Sequence, residues 1–240
     1  HYYIEGNVKI PGGFKKKPYT TVNCLGEHTT QYRNNLIENF DAFVKSEFKE
    51  SRTELHHLDL PDYTDSISFG VKPHVGENAL SQNICSARAG ANMKIEGPFG
   101  TGLDISRTFS GHCVLIGFGT GILPYLDLFD LLLKKAIYLK FQEENLTHRL
   151  SDIKPVQDYS AIFPGARFTY YGAFKEESDF VGYDFISKLH NLSRTYNMNL
   201  FDCLVRLKGK ELSVPTTNSY FDKNFLLHHI VNSTDEVTKL

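Results

Sequence analysis

Residues 113–126 read Cys-Val-Leu-Ile-Gly-Phe-Gly-Thr-Gly-Ile-Leu-Pro-Tyr-Leu and carry the chemistry most legible in this chain. An apolar run ends in Gly117, Gly119 and Gly121, with Thr120 between the last two and Pro124 just beyond. A strand feeding a glycine turn that opens a helix presents backbone N–H groups and a positive helix end to a phosphate. Glycine lets the main chain approach a pyrophosphate closely and adopt positive φ. The chemistry implied is the holding of a dinucleotide. The alternative is a tight strand-to-helix turn in a nucleotide-free α/β unit.

Two further segments have residue types suited to an anionic, aromatic ligand. Lys17-Pro18-Tyr19-Thr20 places a cation, a ring and a hydroxyl in succession. Ala79-Leu80-Ser81-Gln82 follows Gly76 and Asn78 and starts a short helical pattern, where backbone amides and a hydroxyl could meet a diphosphate. The plainer alternatives are a solvated basic turn at Lys15, Lys16 and Lys17, and an ordinary Asn or Ser helix cap.

The elements that must position these groups follow from periodicity. Residues 1–26 alternate and turn, predicting two strands, the second over 19–25. Leu36, Ile37, Phe40, Phe43, Val44 and Phe48 recur at helical spacing, predicting one amphipathic helix within 29–50. Strands are expected at 67–71 and 91–96, with a short helix at 79–86 between them. Beyond Gly97-Pro98-Phe99-Gly100 the pattern alternates. Strands at 113–116, 168–171 and 200–207 are separated by helices at 122–142 and 180–196, with a last helix near 221–232. Strands alternating with helices imply a parallel sheet with right-handed crossovers. The polar stretch 142–165 reads as an insertion or mobile loop.

In order and spacing, these landmarks resemble the ferredoxin–NADP reductase superfamily, including its cytochrome-reductase-like members. Lys17-Pro18-Tyr19-Thr20 is similar to the family's flavin-binding strand, the segment around Leu80 to its second flavin motif, and Gly97-Pro98-Phe99-Gly100 with residues 117–124 to its nicotinamide-nucleotide half. The resemblance implies an α/β plus β fold. Residues 1–96 would be a partial antiparallel FAD-binding β-barrel with a helical insertion. Residues 97–240 would be an NAD(P)-binding α/β domain lacking its last strand.

By matching position, Tyr19 would pack on the isoalloxazine and Thr20 would hydrogen-bond near its reactive nitrogen. These two are the candidate catalytic residues. Lys17 stands where relatives use arginine to grip the FAD phosphates, and a lysine lacks the bidentate fork. Ala79, Leu80 and Ser81 would receive the FAD pyrophosphate, and Gly117, Gly119, Thr120, Gly121 and Pro124 the nicotinamide dinucleotide. The ribose-reading place falls at residues 172–177, which carry no arginine for an extra phosphate. The expected cofactors are therefore FAD and NADH, with NADPH left open by Lys175.

The implied activity is hydride transfer from the nicotinamide to FAD, then electron transfer to a haem or iron–sulfur acceptor protein or domain. The resemblance also implies further barrel strands ahead of Lys17 and a closing strand with a Cys-Gly-Pro-Pro-like turn. The expectation is a section of a larger reductase. The competing expectation is a reductase-like fold without chemistry, serving as an interaction subunit of a large assembly.

Composition narrows the remaining classes. A net charge of −2 gives no reason to expect nucleic acid as a partner. The most apolar region, 122–139, is interrupted by Asp127, Asp130, Lys134 and Lys135, so no membrane span is expected. The four cysteines form no Cys-x-x-Cys, which favours reduced thiols and an intracellular, cytoplasmic setting. His56-His57 and His228-His229 lack the i, i+4 spacing of a helical zinc site, and no metal is expected.

Overall fold

The computed structural model describes residues 1–10, 13–46, 66–74, 79–144, 159–207 and 214–217. Two sheets organise them. The first is antiparallel, in the order β2-β1-β3, from β1 (Tyr2–Ile10), β2 (Gly13–Tyr19) and β3 (Lys94–Glu96). Ile4 stands opposite Lys17 on one side and Ile95 on the other. Opposed residues share a face, so the alternation places Ile4, Lys17, Tyr19 and Ile95 together. Ile4 is buried there, and α2 (Leu80–Cys85) packs on the same sheet. Gly6 permits this approach, because a Cβ on it would collide with the Leu80 side chain.

Strand β2 ends at Tyr19, where the sequence pattern predicts the second strand to begin. Beyond it the chain makes one bridge, Thr21 to Phe69, and the Val22 N–H donates to the Ser68 carbonyl at 2.8 Å. It then coils into a 3-10 turn at Asn23–Leu25. The Asp127 carboxylate accepts the N–H groups of Asn23 and Cys24, which takes them off any ladder. The strand expected at 67–71 is reduced to that single bridge for the same reason.

Helix α1 (Glu27–Lys45) buries Leu36, Phe40 and Phe43, a spacing of one helical face. That face lies on α3 (Leu126–Glu143), with the Phe40 and Phe43 rings 5.9 and 5.1 Å from the Phe141 ring. The helix early in the sequence thus completes the core of the later part. Its residues 47–50 lie outside the described ones.

The second sheet is parallel, in the order β4-β5-β6-β7, from β4 (His112–Phe118), β5 (Arg167–Phe174), β6 (Phe201–Leu207) and β7 (Thr216–Thr217). Helix α3 follows β4, and α4 (Tyr183–Thr195) follows β5. Both connections step the same way across the sheet, so right-handed crossovers put both helices on one face. Phe129 of α3 sits at its centre, 5.2 Å from the rings of both Tyr170 and Phe201.

The expected α/β alternation is present with shifted edges. The strands at 113–116 and 168–171 extend to His112–Phe118 and Arg167–Phe174. The helix expected from 122 begins as a 3-10 segment, Gly119–Tyr125, and turns α-helical at Leu126. From the 142–165 stretch, residues 159–165 are described and the end of it is packed rather than loose: Ile162 and Phe163 are buried. The buried Lys135 amine donates to both of their carbonyls. The helix expected near 221–232 lies outside the described residues.

Candidate functional site

The glycine turn sits at the carboxyl end of β4, where open α/β sheets hold ligands. Its three glycines have three different jobs. At Gly117 a Cβ would come within 2.8 Å of the Gly121 carbonyl oxygen, so a bare α-carbon lets the turn fold back on the strand. Gly119 has φ +52°, a left-handed conformation that side chains disfavour. At Gly119 and Gly121 an added Cβ would meet nothing within 4 Å, so both face open space.

Two tyrosines hold the strand end in place. Tyr125 donates its hydroxyl hydrogen to the Ile116 carbonyl at 3.0 Å, and Tyr170 to the Gly117 carbonyl at 3.1 Å. Burial, with smaller contributions from Tyr125 and Cys203, pushes the Tyr170 phenol well above its ordinary value, so it stays a donor. Thr120 and Pro124 are exposed at the mouth. Phe118 precedes the 3-10 segment without capping it through a side chain, and its ring is 52% exposed. Backbone, one hydroxyl and an apolar shelf are what this surface offers.

On the other sheet, Lys17 is exposed and Tyr19 half-buried, both on the face that carries Ile4. Burial pushes the Tyr19 phenol up, and the neighbouring Cys85 of α2 adds to it. The end of β2 and helix α2, the two segments compared above with flavin motifs, therefore lie side by side. Ala79 opens α2 without a side-chain cap bond. Leu80 is spent on packing against Gly6, and the Ser81 hydroxyl accepts the His74 N–H at 3.2 Å. Ser81 is thus a loop-holding hydroxyl, not a helix cap. Gly76 and Asn78 lie outside the described residues. Thr20 is half-buried between β2 and the Thr21 bridge.

The glycine turn and the Thr20 segment are linked through apolar contacts. A Cβ on Gly70 would sit 2.8 Å from Leu123 of the 3-10 segment and 3.5 Å from Val22. Lys72 and Asp179 add an ion pair near the expected ribose-reading place. There, β5 ends at Phe174 and the Lys175 side chain is 87% exposed, 3.9 Å from Glu176.

Pattern reading missed Asp127, Tyr125, Tyr170 and the Lys72–Asp179 pair. Asp127 carried one signal, an acid in an otherwise apolar helix start. Of the basic run, Lys16 pairs with Glu96 and stands over the Tyr3 ring, while Lys17 points from the opposite face. Among the described residues no three His, Cys, Asp or Glu side chains are grouped to hold a metal ion, and the two His-His pairs lie outside them. No helix among the described residues is long and apolar enough to cross a membrane.

No family model and no curated protein sequence matches this chain. Among solved structures, its fold is similar to that of the CS-b5R domains of human Ncb5or in the NAD+ form, with a TM-score of 0.50 and 16% identity. The likeness covers 96% of this chain and 48% of that one, so the chain spans about half the length of that structure. That structure holds a cytochrome b5 reductase-type domain, of ferredoxin–NADP reductase-like fold. The resemblance carried by the sequence motifs is thus also a resemblance of folds.

Proposed function

We infer that the chain is the cofactor-handling section of a flavoprotein reductase, in which NADH gives hydride to FAD and electrons pass on to a haem or iron–sulfur acceptor protein. The observation that carries this reading is the open space above Gly119 and Gly121, at the carboxyl end of a parallel strand propped by Tyr125 and Tyr170. A pyrophosphate needs such an approach to main-chain amides.

The residues present fit a dinucleotide at that turn. Gly119, Thr120 and Gly121 would hold the diphosphate, and Phe118 would offer an apolar wall. For FAD, Lys17 would supply a point charge, Tyr19 a ring and Thr20 a hydroxyl. The backbone at Ala79 and Leu80 would meet the diphosphate. When bound, the flavin and nicotinamide supply the redox chemistry. The protein's part is to hold both rings in contact and exclude water. NADH is favoured over NADPH, because residues 172–177 offer Lys175 alone against Glu176 and Glu177. In this reading residues 1–96 form the flavin half, with barrel strands beyond the three described, and residues 97–240 the nucleotide half.

The test is direct. The purified intact protein is expected to be yellow and to bleach on addition of NADH. A colourless, well-folded preparation whose melting temperature ignores NADH would overturn the reading. A second reading, an interaction subunit without chemistry, is favoured by the exposed single charge of Lys17, which lacks a guanidinium's forked donors. It predicts that second result.

A further inference from the structure

The two cofactor segments lie on different sheets, yet one side chain ties the chain leaving the first to the element behind the second. Asp127 stands in the first turn of α3, directly after the 3-10 segment that contains Gly119 and Gly121. Its Oδ1 accepts the Cys24 N–H at 2.7 Å and its Oδ2 the Asn23 N–H at 3.3 Å. Both oxygens of one carboxylate are used on two successive amides of the 3-10 turn that follows Thr20.

The same residue is gripped from its other side. Arg33 Nη1 donates to the Cys24 carbonyl at 2.7 Å and to Asp130 Oδ1 at 3.0 Å, and Asp130 is one helical turn along α3 from Asp127. Thus α3 holds the Cys24 backbone by its N–H directly and by its carbonyl through Arg33. Between this grip and Thr20 lie Thr21, bridged to Phe69, and Val22, fully buried beside Gly70 and Leu123. Both of these residues are thus held in place.

We propose that Asp127 is a positioning residue that fixes the spacing between the Thr20 segment and the glycine turn; its consequence for hydride transfer rests on the reductase reading above, while its geometry does not. A neutral amide at this position puts an NH2 donor where one of the two oxygens now accepts, so one of the two N–H groups faces another donor. An alanine takes neither. Charge-assisted bonds to backbone amides are the stronger kind, so their loss loosens the joint and leaves it to the Arg33 contact.

The test uses the intact protein with the exposed Cys85 changed to serine and spin labels at Gln82 on α2 and Asn191 on α4. The expected result is one narrow label-to-label distance with Asp127 present, and a broadened or shifted distribution in Asp127→Asn and more so in Asp127→Ala. An unchanged distribution in both folded variants would overturn the proposal. Should Asp127→Ala fail to fold, Asp127→Asn decides. In yellow protein, the single-turnover bleaching rate at saturating NADH should fall roughly 10- to 100-fold with FAD content and NADH affinity within about twofold. An unchanged rate beside a changed distance would also overturn it. A colourless parent protein would sink the reductase reading alone, since the distance measurement needs no cofactor.

Discussion

The Tyr170 hydroxyl, from an inner strand of the parallel sheet, donates to the carbonyl of Gly117 on the neighbouring strand at 3.1 Å. Tyr170 is itself fully buried, its ring stacked edge-on to Phe129 of α3. Gly117, one residue before the end of β4, is therefore fixed from inside the core. The turn's other side, at Gly119 and Gly121, faces open space. Rigidity beneath and emptiness above is the arrangement a pre-formed anion cradle needs.

The three glycines should separate by substitution. Gly121→Val meets open space with no positive φ, so it should leave stability nearly unchanged while abolishing NADH-dependent thermal stabilisation. Gly119→Val adds a left-handed backbone penalty of about 1–2 kcal/mol to the same loss of binding. Gly117→Val drives a side chain into the Gly121 backbone and should fold poorly whether or not ligand is present. Thermal melts with and without NADH read all three. Equal behaviour would mean the turn does not work as described.

Arg33 and Asp130 form an ion pair with side chains 5% and 7% exposed. Asp130 also pairs with Lys134, so removing the carboxylate leaves two cations without their partner, at a cost of about 3–5 kcal/mol, while removing Arg33 leaves Asp130 with Lys134 alone. Arg33→Met or Asp130→Leu should therefore destabilise strongly. The double replacement should recover much of that loss. Urea denaturation of the four proteins checks it, and additive losses would show that the two charges do not depend on each other.

His112 should make stability pH-dependent. Burial, and then the Arg167 charge, hold its imidazole below its ordinary value, and Nε2 pairs with the Thr169 hydroxyl at 2.8 Å. The unfolded chain, with an ordinary imidazole near pH 6.5, takes up a proton first. This contribution is thus complete above about pH 6.5 and is lost as pH falls through the lowered folded value. Denaturation midpoints from pH 8 to 5 should decline more in the wild type than in His112→Gln. Parallel curves would remove His112 from the account.

Lys16 and Lys17 provide an internal control. A charge-assisted hydrogen bond is worth about 1.5–3 kcal/mol, so Lys17→Ala should weaken FAD by roughly tenfold or more. Lys17→Arg should tighten it through the forked donor set. Lys16 faces the other way, paired with Glu96, and Lys16→Ala should leave flavin affinity alone. Flavin fluorescence titration distinguishes the two lysines.

Much of this was legible in the residue order where local and tertiary forces agree. The alternation of strands and helices after residue 112, the face of α1 made by Leu36, Phe40 and Phe43, and the short helix at Leu80 all follow from periodicity. Legibility failed where a distant group claims the backbone. Thr21 to Leu25 has the composition of a strand, yet Asp127, more than a hundred residues on, takes two of its amides. Residues 67–71 look like a strand and find only Thr21 to bridge. The edge of the nucleotide-type turn shifted because Gly119–Tyr125 winds as a 3-10 helix, a difference that apolar spacing does not encode. Lys135 was visible as a charge in an apolar helix, but its two carbonyl partners at Ile162 and Phe163 were not.

Helix α1 is read out before the Gly97-Pro98 break but rests on α3, its Phe40 and Phe43 rings against Phe141. A cut at that break would leave the later fragment with an aromatic scar where its own cover had been removed. The earlier fragment would trail a greasy helix with nothing to lie on. During synthesis, α1 must likewise wait for α3 to emerge before it has a surface to settle against, so the two parts of this chain mature as one unit.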